Sequence, residues 1–151
     1  MKGQEILQRH IGHRLTGGLI QSFELNKELS DLINVTFLKF EDQWTHIVST
    51  DEMTTIRPQD NSIETTEFFG DEEFKYPIRP IATVFPDFNK YIGKRLLGFK
   101  ELVLKDNETM SFGINFHFED NLNFIIKNHD YPIDKNEYFF KSVTFDDIKE
   151  I

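Results

Sequence analysis

Phe112-Gly113-Ile114-Asn115-Phe116-His117-Phe118-Glu119-Asp120 alternates large apolar residues with small or polar ones, then ends on two acids. A period of two places Phe112, Ile114, Phe116 and Phe118 on one face of a half-buried strand. His117 has the opposite parity and is expected to point outward. Asp120-Asn121 supplies tight-turn chemistry. Beyond it Leu122, Phe124 and Ile126 resume the alternation, so the stretch reads as a hairpin of Met110–Phe118 and Leu122–Asn128. Upstream, Arg95–Leu104 reads as a strand and Lys105–Thr109 as the polar turn after it. Pro86 and Asp87 suit a helix start, and Gly93 suits its end.

The same order of features occurs earlier in the chain. Ile11-Gly12-His13-Arg14-Leu15-Thr16-Gly17 matches Ile92-Gly93-Lys94-Arg95-Leu96-Leu97-Gly98, and Leu38-Lys39-Phe40-Glu41-Asp42 matches Phe116-His117-Phe118-Glu119-Asp120. Gly3–Ile11 has Ile6, Leu7 and Ile11 at helical spacing, with Gly12 at the cap position. Strands are expected at Arg14–Leu25, Leu32–Phe40 and Trp44–Ser49, with a turn at Asn26–Asp31. Gly17-Gly18 would kink or bulge the first of these. In the second, Val35 and Phe37 have one parity and Leu38 and Phe40 the other, which predicts a bulge or two covered faces. The expectation is an α+β fold dominated by sheet. Two similar helix-plus-antiparallel-meander halves, residues 3–50 and 86–130, would share one aromatic core in a single domain, 1–151.

An acidic, proline-containing connection joins the halves. It carries Pro58, Pro77 and Pro80, with strand candidates around 62–69 and 78–84. After Asp130, Glu137-Tyr138-Phe139 echoes Glu67-Phe68-Phe69, and Phe145–Ile151 reads as a final helical turn.

Sixteen Phe, four Tyr and one Trp in 151 residues supply a large apolar area from few positions. The 26 acidic and 17 basic residues leave a net charge of −9. That balance opposes non-specific nucleic-acid binding, which needs Lys and Arg, and favours steering toward basic partners. The absence of cysteine excludes disulfides and thiolate chemistry. No window approaches the length of an apolar membrane span, and Met1–Ile11 lacks the apolar stretch of a signal peptide. The expectation is a cytoplasmic protein that engages neither membrane nor nucleic acid.

Motifs for chemistry are sparse. His10 and His13 are read as a surface pair, because zinc usually takes three or four ligands. The carboxylate pairs Glu41-Asp42 and Glu119-Asp120 sit at the two corners, where nothing in the sequence brings them into one cleft. There is no nucleophile elbow and no phosphate loop. No catalytic residue, metal site or cofactor is expected. Glu64, Glu67, Asp71, Glu72 and Glu73 form the most pronounced acidic segment, with Phe68, Phe69 and Phe74 among them. One reading makes the segment, together with Asp42 and Asp120, a surface for a basic protein partner. The plainer one tucks the three rings into the core. An alternative places a ligand or an active site in a cleft between the halves, with His46, His117, Asp42 and Asp120 as the groups to inspect. A third is a homo-oligomer formed through a free sheet edge.

Ile92-Gly93-Lys94-Arg95-Leu96, Gly113–Asp120 and Asn128-His129-Asp130 together resemble the small bacterial immunity proteins of polymorphic or contact-dependent toxin systems. The resemblance implies a cytoplasmic, non-enzymatic inhibitor that binds one cognate toxin. It carries no partner-contact residue with it, since those proteins share no common binding motif.

Overall fold

The computed structural model describes residues Met1–Ile151. Strands take 58% of the chain and helix 13%. Helix α1 (Gln4–His10) leads through Gly12, at φ +89°, into β1 (Leu15–Leu25). Asn26 and Lys27, both at positive φ, make a two-residue turn into β2 (Glu28–Phe40). The chain returns as β3 (Gln43–Thr50) and β4 (Met53–Gln59). Short pieces follow: β5 (Thr66–Phe68), β6 (Phe74–Tyr76), β7 (Ile78–Pro80) and helix α2 (Ile81–Val84). A 3-10 helix at Pro86–Tyr91 leads past Gly93, at φ +84°, into β8 (Leu96–Leu104) and β9 (Asn107–Phe118). The last strands are β10 (Leu122–His129), β11 (Lys135–Phe139) and β12 (Ile148–Glu150).

These strands form two antiparallel sheets. The first runs β4-β3-β2-β1-β6-β5, with β7 also paired to β1, and the second runs β11-β10-β9-β8-β12. Eighteen buried apolar residues from both sheets and from the helices make one cluster between them. Its aromatic centre is Phe88, Tyr91, Phe116, Phe118, Phe124 and Tyr138, with Phe124 packed edge-on to Tyr138 at 5.1 Å. In β2, Val35, Thr36, Phe37 and Leu38 are all buried, so both faces of that strand are covered there. No helix is long and apolar enough to cross a membrane.

The recurring sequence motifs meet in space. Gly12 N–H donates to the Leu96 carbonyl and Gly93 N–H to the Leu15 carbonyl, each at 2.7 Å. The Arg14 guanidinium donates to the Gly93 carbonyl, and that of Arg95 to the Gly12 carbonyl. Arg14 N–H donates to the Glu41 carboxylate at 2.9 Å, and Arg95 N–H to that of Glu119 at 3.0 Å. Each glutamate N–H then returns a bond to the carbonyl of the same arginine. The Ile-Gly-x-Arg-Leu and Phe-Glu-Asp motifs are therefore halves of one arrangement: the arginine backbone holds a hairpin corner while its side chain holds the opposite crossing segment. A bulge follows each crossing leucine, between Leu15 and Gly17 and between Leu96 and Gly98. In the first sheet the extra residue is Thr16, just before the Gly17-Gly18 pair where the sequence suggested a kink or bulge, and both glycines pair in regular register.

Several expectations need correction. Phe112 does not join Ile114, Phe116 and Phe118. It belongs to a second cluster with Leu102, Ile125 and Ile148. The parity breaks at Gly113, whose φ is +133° and where a Cβ would lie 1.9 Å from the Ile126 carbonyl oxygen. The helical turn expected at the C-terminus is instead β12, paired with β8, because Ile148 fills that second cluster and Lys149 and Glu150 complete a sheet edge. Strand β4, with Pro58 at its end, lies inside what read as connection. Both polar turns are shorter than expected, since β2 starts at Glu28 and β9 at Asn107. His117 is half-buried, and its Nε2 is enclosed without a partner rather than turned to solvent.

Candidate functional site

Strands β5 and β6 form a small hairpin on the outer edge of the first sheet. Its turn end is fixed to the turn after β1. Asn26 N–H donates to the Glu73 carbonyl at 2.8 Å, and Glu73 N–H donates to the Asn26 side chain at 2.9 Å. Phe23 stacks on Tyr76 at 5.3 Å and on Phe74 at 6.1 Å, so those two rings are partly covered. Phe68 meets the edge of Tyr76 at 6.3 Å within the hairpin, and both it and Phe69 stay open to solvent. Phe68 is 59% exposed and Phe69 76% exposed. This overturns the plainer reading in which all three phenylalanines enter the core: Phe74 is half-buried against Phe23 but belongs to neither core cluster.

The same segment carries Glu64, Glu67, Asp71 and Glu72, all exposed, and the half-buried Glu73. Lys75 bonds Glu67 at 2.8 Å, and that carboxylate holds the ammonium above the usual lysine range. Lys27 lies 3.7 Å from Glu73. Two ammonium groups against five carboxylates leave the hairpin negative. A recess of about 320 Å³ opens between the hairpin and the Lys27 turn, with Phe69 and Phe74 in its wall.

Asp42 and Asp120 lie elsewhere. The hairpin joins β1 at Glu24 and Leu25, while the corners join its start through Arg14 and Leu15. At roughly 3.3 Å per residue, the length of β1 separates them by about 30 Å. The seven acidic residues thus form two groups at opposite ends of the sheet. Asp120 pairs with Lys94, whereas Asp42 is exposed beside a separate cleft. No family model, curated protein or solved structure matches this chain.

The four residues proposed for a cleft between the halves do not converge. His46 is on β3 in the first sheet, paired with Phe37 and Arg57. Burial first, and then Arg57, hold its imidazole below the ordinary histidine range. His117 is on β9 in the second sheet, opposite Gly98 and Asn123. No three His, Asp or Glu side chains gather to hold a metal ion.

The cleft that does exist has a volume of about 550 Å³ and lies between α1, the corner at Asp42–Trp44 and the chain leaving β4. His10 is in its wall. It is buried, not at the surface as the pair reading had it, and stacks on Phe40 at 4.9 Å. Its Nε2 is 3.0 Å from the Thr45 hydroxyl, while Nδ1 has no partner. Burial, then His13 and Arg9, push its pKa down, so the ring is neutral at pH 7. Nothing in the sequence linked this helix to the corner: Arg9 and His10 read as helical and Trp44 as the start of a strand.

Proposed function

We propose that this chain is a non-enzymatic protein-binding module that neutralises one basic protein in the cytoplasm, as the immunity proteins it resembles do. The contact element is the β5–β6 hairpin. The observation that carries this reading is the exposure of both Phe68 and Phe69 in a segment rich in carboxylates. Water-exposed aromatic rings are costly to keep and productive to bury, and such anchors dominate binding energy. The surrounding negative charge would steer a basic surface onto them and raise its rate of association. We further propose that residues 3–50 and 86–130 are copies of one unit related by an approximate two-fold axis. The reciprocal bonds of Gly12 with Leu96 and Gly93 with Leu15 support it.

Co-expression with the product of an adjacent gene tests the reading. The expected result is relief of that product's toxicity and co-purification of a complex. The Phe68→Ala, Phe69→Ala double variant should weaken the complex by at least about 30-fold, in line with hot-spot truncations of 2 kcal/mol or more. Raised salt should slow association. A neighbour that is toxic but neither bound nor relieved would remove the neutraliser reading. A complex indifferent to both phenylalanines would remove the hairpin.

A further inference from the structure

Phe68 and Phe69 are not alone at their end of the first sheet. Phe68 pairs with Phe74, Phe74 with Leu25, and Leu25 with Glu28, so one row crosses β5, β6, β1 and β2. At about 4.8 Å between strands, that row is about 14 Å wide. The start of β2 carries it further. Asp31 lies close enough to Asp134 and Lys135 for both to act on its carboxyl, and Asn136 Nδ2 donates to the Ile33 carbonyl at 2.9 Å. The loop between β10 and β11 is thereby held beside β2. That loop in turn meets the β3–β4 turn: Asp51, Glu52, Asp130, Tyr131 and Asp134 line one recess of about 300 Å³.

Residues 24–31, 51–53, 67–75 and 130–135 therefore make up one end of the molecule. They hold eleven of the 26 acidic residues and three of the 17 basic ones, a net −8 in a chain whose total is −9. The remaining fifteen acids and fourteen bases nearly cancel. The same four segments hold six of the ten large apolar side chains that stay exposed. Tyr131 is 87% exposed and Ile133 59%, and Leu29 and Met53 are open too. Solubility alone calls for charges of both signs interspersed over a surface with few exposed rings. Here charge of one sign and apolar groups are gathered together, as on surfaces that meet a partner. The recess has no cation in its lining, and its carboxylates do not gather to hold a metal ion. Spread in this way, they suit several guanidinium or ammonium groups of a protein rather than one ion.

We propose that the β10–β11 loop and the β3–β4 turn are a second contact element for a basic protein, with Tyr131 and Ile133 as its apolar anchors and Asp51, Glu52, Asp130 and Asp134 as its charge. This rests on the reading that the chain binds such a protein, and it enlarges the contact from one hairpin to a whole end of the molecule. The partner then carries two sets of cationic side chains, one over the hairpin and one entering the recess. Apolar anchors set how long the complex lasts, and the shared negative field sets how fast it forms.

Two measurements test it. In the first, the full-length protein labelled with nitrogen-15 is titrated at low salt with an octa-arginine peptide, and amide shifts are mapped. Resonances of 28–31, 51–53 and 130–135 should move together with those of 67–75. Shifts confined to 67–75, or falling mainly on the nearly neutral remainder, overturn the proposal, and this map needs no natural partner. In the second, the complex with the neighbouring gene product is measured for variants of the loop and the turn. Tyr131→Ala and Ile133→Ala should each weaken it at least about tenfold. Asp51→Asn with Glu52→Gln, where asparagine tolerates the positive φ of Asp51, should slow association at least about threefold at low salt. Each variant should keep the parent's circular dichroism spectrum. A complex that needs Phe68 and Phe69 but ignores all of these changes leaves the hairpin standing and removes the second element. A complex that needs Tyr131 and Ile133 but ignores the two phenylalanines does the reverse.

Discussion

Gly113 decides which side of a sheet its neighbours occupy. On its C-terminal side Ile114, Phe116 and Phe118 face the main core, and on the other Phe112 joins the outer cluster. A side chain there would meet both a φ of +133° and the Ile126 carbonyl. Gly113→Ala should lower stability by roughly 2–4 kcal/mol, seen as a lower urea midpoint with little change in slope. Buried histidines set the acid response. Burial depresses the pKa values of His10 and His46 in the folded state from the ordinary value of 6.5. The unfolded chain therefore takes up these protons first as pH falls, and stability drops from about pH 6.5 downward until the folded imidazoles also protonate. Asp31 has the opposite sign. Burial raises its pKa from 3.8, so its contribution is complete below that value and is lost as pH climbs through the folded pKa. Urea unfolding at pH 7.5 and 5.5 should show lower stability at the acid end, and His10→Gln should show a smaller difference than the parent.

Among the elements, the C-terminal segment is the clearest case of structure made by tertiary pairing. Phe145 packs edge-on against Phe139 at 5.4 Å, and Lys127 Nζ sits 5.2 Å from the Phe145 ring. Ile148 closes the cluster around Leu102, Phe112 and Ile125. Phe145→Ala should cost about 1–3 kcal/mol in chemical denaturation, at the low end for a ring only half-buried. By contrast Phe69→Ala should change stability by no more than about 0.5 kcal/mol, because that ring touches little. The sequence could not separate these two phenylalanines. Phe145, Ile148 and Ile151 recur at a spacing of three, which imitates a helix, and a three-residue edge strand has too short a pattern to oppose it. Strand β4 was hidden in the same way: Met53-Thr54-Thr55-Ile56-Arg57-Pro58-Gln59 has little apolar alternation and ends near a proline. The long strands were legible because burial on one face imposed their period. The Gly113 switch was not, since alternation in sequence continues unbroken through a residue whose backbone reverses it. For the candidate site, the acids were legible as charge, but the exposure of Phe68 and Phe69 depends on what fails to cover them.

At the scale of the whole molecule, the crossing segments join the sheets in a way that neither could provide alone. Leu15 and Leu96 are completely buried at the crossing, in one cluster with residues of both sheets. The backbone bonds around them pass between residues about eighty positions apart, from Gly12 to Leu96 and from Gly93 to Leu15. Loosening one sheet therefore removes hydrogen-bond partners and apolar contacts from the other. Such shared dependence predicts one cooperative unfolding transition. Trp44, on β3, reports on the first sheet, while far-ultraviolet circular dichroism reports on strands of both. The two signals should give the same urea midpoint. Leu15→Ala and Leu96→Ala should each lower stability by about 2–5 kcal/mol, and in both variants the two signals should still move together. If Leu96→Ala instead split the curves, with the Trp44 transition left at its original midpoint, the sheets would be separable units and the crossing a contact rather than a joint.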